Sequence, residues 1–184
     1  MSDCRVDEEL IRRFILDPGI AALGPGPRSN VRTPQEISDV VDTRLADALE
    51  ASQLRALLLE WNDHHDEAHA IVQDCSDPTG SLIHGILHRR EPDYGNAEYW
   101  MRRVGKHPCY RRLSTVLRAS EFDWTAAQEL KTRLLPGDDW SPVGMIESCE
   151  SAITLPSSHP LYGCLMRVQQ AEFRCLAEFI LSQG

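Results

Sequence analysis

No apolar run in this 184-residue chain approaches the roughly 20 residues needed to cross a bilayer. A membrane-spanning protein is therefore not expected. The first residues, MSDCRVDEELIRR, lack the basic start and apolar block of a secretory or organellar leader, so the cytoplasm is the expected compartment. No G-x-x-x-x-G-K-S/T loop is present to cradle phosphates, and no G-x-S-x-G elbow to expose a nucleophilic serine. The six cysteines (Cys4, Cys75, Cys109, Cys149, Cys164, Cys175) form no C-x-x-C and are widely spaced, so they read as reduced, small buried hydrophobes. Positive charge is in deficit: the net charge of −9 disfavours nonspecific binding to nucleic acid or to an anionic membrane. Nothing alternates with period two for long enough to make a convincing strand.

The chain is instead rich in helical patterns, and the expected fold is all-α: antiparallel helical hairpins, tetratricopeptide-like in style, with a long C-terminal helix. A single domain over 1–184 is expected from the length. Residues 7–16, DEELIRRFIL, read as an amphipathic N-terminal arm helix. Residues 17–33 read as a Pro/Gly-rich linker, and residues 34–184 as the helical body. Thr33-Pro34-Gln35-Glu36 is a capping box with proline at the first helical position. Helical pattern then runs to Trp61 with a break near Thr43, and Asn62 and Asp63 are placed to end that helix and cap the next. SDPTG at 76–80 reads as a turn by composition, followed by helices from Ser81 to Arg90 and from Asn96 to Val104. Later helices are expected at 108–120, at 123–135 from an Asp123 cap, from Ser141-Pro142, and from about Ser158 onward.

A shift of 29 residues lays Ala56 on Gly85, Leu57 and Leu58 on Ile86 and Leu87, Ala68 on Ala97, Val72 on Met101 and Cys75 on Val104. Each unit would be one hairpin. Small Gly85 and Ala97, followed by Met101 and Val104, match the spacing that lets paired helices approach closely.

Chemistry concentrates between Leu57 and Pro108, which hold six of the seven histidines. His65 and His69 are four residues apart, as are His84 and His88. That spacing sets two imidazoles on one helical face, as in helix-borne zinc or iron sites. On a helical wheel His84 and His88 lie away from Leu82, Ile83, Ile86 and Leu87, beside small Ser81 and Gly85, which ranks them above His65 and His69. The carboxylates Asp66, Glu67, Glu91 and Asp93 can complete a coordination sphere, and Glu67 or Glu91 can serve as general base on a bound water. HDEAH is not the H-E-x-x-H of zinc proteases, since its second position is Asp66.

From Arg89 to Arg118, eight basic residues stand against three acidic ones. Either they pair with acidic helices elsewhere, or they form an anion site of bidentate guanidinium forks. Glu172 projects into the apolar arc of the last helix. It requires a cation, a metal or a proton; an arginine of the basic segment is the expected partner, and a metal is the alternative. Trp61, Tyr94, Tyr99 and Trp100 read as core and hairpin packing.

HGILHRREPDYGNAEYWMRRVGKHP, residues 84–108, with the preceding WNDHHDEAH and PTGS, resembles a family of uncharacterised bacterial and fungal proteins. A similar H-G-I-x-H-R-R-E-P-D-Y/F-x-N-A/S-x-Y-W-x-R-x-V-G-x-H-P string recurs in that family. The resemblance covers about a third of the chain and implies no catalytic role.

Two functional expectations follow. The first is a polar pocket of His84, His88, Arg89, Arg90, Asp93, Tyr99, Arg102 and Arg103 that binds a small anionic molecule or a protein segment. The second is a metal-dependent hydrolytic enzyme using zinc, iron or manganese, with His65, His69, His84, His88 and Glu172 as candidate ligands.

Overall fold

The computed structural model describes residues 2–184 except 25, 27, 120, 121 and 126, with side chains described from residue 7 onward. Ten α-helices and no strand are found among the described residues. They are α1 (Ser2–Ile11, continued by a π-helical turn, Arg12–Leu16), α2 (Pro34–Arg44), α3 (Ala48–Trp61), α4 (His65–Val72) and α5 (Pro78–Arg90). These are followed by α6 (Tyr94–Val104), α7 (Pro108–Arg118), α8 (Gln128–Leu134), α9 (Pro142–Ala152) and α10 (Pro160–Leu181). No helix is long and apolar enough to cross a membrane among the described residues. The fold class is all-α, with helices packed on one another in hairpins.

Helix starts share one chemistry: in α2, α5, α7, α9 and α10 a polar capping residue is followed by proline at the first helical position. Proline's missing N–H costs nothing there, and its fixed φ is already helical. At α2 the capping box closes both ways: Glu36 N–H donates to Thr33 Oγ1 and Thr33 N–H donates to Glu36 Oε2. The same logic corrects the reading of SDPTG as a turn. Asp77 Oδ1 accepts Gly80 N–H at 3.0 Å, Pro78 is the first helical residue, and α5 begins three residues before Ser81. Asp93 caps Asn96 in the same way, so α6 begins at Tyr94. The expected helix from Asp123 is shorter, Gln128–Leu134. Asp123 caps only Thr125 N–H locally, and Trp124 Nε1 donates to Leu117 O at 2.7 Å, tying the segment to the end of α7. Asn62 is the C-cap of α3, but Asp63 does not cap α4: it is drawn into ion pairs with Arg28 and Arg90.

The N-terminal helix is core rather than an arm. Phe14 and Ile15 are fully buried, and Ile15 O accepts from Trp61 Nε1. The following linker is tied down too: Arg28 donates to Gly19 O and Trp61 O, Leu23 N–H reaches Tyr162 Oη, and Gln169 Nε2 donates to Ala22 O. The described cysteines are free and, apart from half-buried Cys75, buried, as expected of small hydrophobes; Cys4 lies outside the described side chains.

Two hairpins position the site. α3 and α4 turn at Asn62–His64, α5 and α6 at Glu91–Asp93, and the two turns lie 29 residues apart in the chain, while α6 runs further past its turn than α4 does. α5 is buried along nearly its whole length, from Thr79 to Arg90, because α3, α4 and α6 surround it. Polar side chains on such a central helix must find partners inside the protein. Gly85 makes the α5–α6 contact close: a Cβ there would stand 2.9 Å from Met101 Cε.

Candidate metal centre

Histidines from two neighbouring helices meet at one point. His84 and His88, one turn apart on α5, stack at 4.7 Å between ring centroids, and His69 on α4 meets both edge-on. One ring nitrogen from each of the three lies within 4.8 Å of the others. His69 Nε2 and His84 Nε2 are 3.2 Å apart. Two imidazole nitrogens bound to one zinc at about 2.0–2.1 Å stand about 3.3 Å apart in tetrahedral geometry. The separation therefore suits a shared ion as well as a hydrogen bond.

The surroundings orient these rings. His88 Nδ1 contacts Glu91 Oε2 at 2.9 Å, and its Nε2 contacts Asn96 Nδ2 at 3.1 Å. The carboxylate on Nδ1 fixes the tautomer with the proton there and leaves the lone pair on Nε2, which accepts from the Asn96 amide and would exchange that bond for a metal. His84 is sandwiched between His88 and the Trp100 ring, which it stacks on at 4.0 Å. Its Nδ1 is buried with no hydrogen-bond partner. Whether it carries a proton or a lone pair, an orphaned buried nitrogen costs on the order of 1–3 kcal/mol.

Burial, followed by repulsion from His88 and His69, pushes the pKa of His84 down to about 4. At neutral pH this imidazole is uncharged, the form that coordinates metal. His65 moves the other way: its Nδ1 lies 3.1 Å from Glu60 Oε2, and that hydrogen bond raises its pKa against the opposing effect of burial. Its Nε2 is 3.7 Å from Glu91 Oε2. Of the two histidines on α4, His69 joins the triad and His65 is held by carboxylates.

A cavity of about 620 Å³ opens over the triad. Its walls are His65, Asp66, Ala70, Gln73, Glu91, Asp93, Asn96, Tyr99 and Trp100, with His69, His84 and His88 among them. Of the expected pocket, His84, His88, Asp93 and Tyr99 are present. The arginines are not. Arg89 is fully buried and forks onto Glu172 at 3.1 and 2.5 Å, and Arg90 binds Glu60 and Asp63. Arg102 pairs with Glu98 at the surface, and Arg103 lies over the Tyr99 and Trp100 rings. Glu172 is held by Arg89 and belongs neither to the cavity wall nor to the three-histidine group. Glu67 is exposed and outside the cavity wall, while Glu91 is within it. Sequence reasoning passed over Asn96 and Gln73 and took Trp100 for packing. Only the crossing of α4 and α6 over α5 brings these side chains to the histidines.

Comparison with known protein families, with characterised proteins and with solved structures returns no match.

Proposed function

We propose that this chain binds a divalent transition metal through His69, His84 and His88 and uses it for hydrolytic chemistry on a small molecule in the cavity above. One observation carries the reading: three imidazole nitrogens within 4.8 Å of one another at the base of an open cavity. Three protein ligands with remaining positions facing a cavity are the arrangement of catalytic zinc, whereas structural zinc is closed by a fourth protein ligand. Imidazole ligands suit zinc, iron or nickel more than magnesium or calcium. Glu91 supports the reading as the carboxylate that orients His88, and it also stands within the cavity wall, where a general base for a bound water belongs. An anion pocket built on the arginines draws no support from their positions, because the guanidinium groups of Arg89, Arg90 and Arg102 meet carboxylates of the chain and that of Arg103 lies over aromatic rings.

Cobalt(II) titration of metal-free protein tests the proposal. One equivalent should produce visible d–d absorption of low-coordinate cobalt with nitrogen ligands, and His69→Ala should abolish it. A spectrum that stays that of aqueous cobalt, with His69→Ala unchanged from wild type, rejects it.

A further inference from the structure

A second cavity, of about 490 Å³, lies between α7 and the connection from α8 to α9, and it shares no wall residue with the cavity over the histidines. Nothing about it depends on a metal. Its α7 side carries Lys106, Arg111 and Arg118, three cations of the basic segment that the carboxylates of α3 and α10 do not take up. The other side carries Asp138 and Asp139, and Arg118 meets Asp138 at 3.5 Å. Lys106 and Arg111 meet no carboxylate among the described residues. In a chain of net charge −9 acidic partners are not scarce, so two unmatched cations beside one cavity are informative. Both stand at the start of α7, Lys106 just before the N-cap His107 and Arg111 as the fourth helical residue. The helix dipole is positive there, which disfavours cations and favours a bound anion. The aromatic side chains of Tyr110 and Trp140 complete the walls. Trp140 is 6% exposed, and neither its Nε1 nor Tyr110 Oη has a hydrogen-bond partner among the described residues. Buried polar groups left this way are uncommon, and two of them belong to residues of this one wall.

We propose that this cavity binds a phosphate monoester of a small aromatic compound, with the phosphate at Lys106 and Arg111 and the ring against Trp140 and Tyr110. A phosphate monoester carries a charge of about −1.5 to −2 at neutral pH, which a pair of cations matches and a single carboxylate does not. The Arg111 guanidinium supplies a bidentate fork and the Lys106 ammonium a point charge. Asp139, next to Trp140 in the chain and without a cation of its own among the described residues, keeps the ring end free of further negative charge. A cavity of this size suits a small molecule.

The test titrates phenyl phosphate, inorganic phosphate and benzoate calorimetrically into chelator-treated full-length protein, so that no ion at the histidines can hold or cleave the probe. Phenyl phosphate should bind with one-to-one stoichiometry, about tenfold or more tightly than either inorganic phosphate or benzoate. Lys106→Gln/Arg111→Gln should weaken phenyl phosphate by about tenfold or more. Both side chains are exposed, so this variant keeps its helices, which circular dichroism verifies. Arg133→Gln, which removes an exposed cation outside the cavity, should leave the affinity unchanged. Absence of phenyl phosphate binding, or binding that survives in the double variant, would overturn the proposal. Inorganic phosphate binding as tightly would remove the ring from it, and benzoate binding as tightly would remove the phosphate; either result contradicts the ligand class stated here.

Discussion

His84 differs from Arg89 and Arg90 in what meets its buried polar groups, although all three share the last two turns of α5: each arginine leaves Nε unpartnered, but its charge is met by a carboxylate. Each arginine reaches a carboxylate from another helix: Arg89 forks onto Glu172 of α10, and Arg90 bridges Glu60 and Asp63 at the end of α3. His88 is likewise met on both ring nitrogens, by Glu91 and Asn96, whereas His84 is not. His84 faces another histidine, leaves Nδ1 unpartnered, and opens on a cavity. A buried polar group whose partners are internal belongs to the architecture. One that is buried, neutral and incompletely partnered beside a cavity points to a ligand from outside.

The comparison breaks most sharply at the arginine. Arg89→Ala leaves Glu172 buried without its cation and should lower the unfolding free energy by about 3–5 kcal/mol in urea titration. Arg89→Met/Glu172→Leu, which removes both charges, should recover most of that loss. An equal loss in the double variant would mean that the pair does more than neutralise itself. Next in size is Glu91→Gln, which should weaken metal affinity by about 10–100-fold with little effect on metal-free stability, measured by competition with a chelator.

The protonation of His84 sharpens the contrast further. Its folded pKa lies below the ordinary value, so between about 6.5 and about 4 the unfolded chain binds more protons than the folded one. Stability of the metal-free protein should therefore be intact above pH 6.5 and fall by roughly 1–2 kcal/mol on going to pH 5. His84→Ala should flatten that limb. His65, with its pKa raised by Glu60, has the opposite sign: its contribution is present at low pH and is lost as pH rises through its folded value. The smallest effect is expected at Gly85→Ala, about 1 kcal/mol, because the new Cβ meets the mobile end of Met101. A larger loss would mean that the α5–α6 contact cannot yield, and His84 would shift with it.

Much of this was legible in the residues. Periodicity and cap chemistry located nearly every helix, and Gly85 facing Met101 follows from the spacing that marks a close hairpin. The His84–His88 pair was visible as one ridge, and Glu172 as a buried carboxylate seeking an arginine. What was hidden depends on how helices cross. His65 and His69 are equivalent by spacing, and only the approach of α4 to α5 puts His69 against His84 and leaves His65 to Glu60. Whether Arg89 and Arg90 pair internally or form an anion site stayed open, because their carboxylates lie 83 and 30 residues away in the chain. Asp77-Pro78 was mistaken for a turn because the residues that stop a chain also start a helix when aspartate caps a backbone N–H two residues beyond the proline.

Elemental analysis of untagged protein purified without chelators, beside His84→Ala/His88→Ala prepared in parallel, tests the central claim most directly. The account predicts close to one equivalent of zinc, iron, nickel or manganese in the wild type and loss of that metal in a variant that keeps its helical circular dichroism. A wild type without metal, which also fails to retain added zinc or cobalt on dialysis, would contradict it and leave the three histidines a hydrogen-bonded cluster.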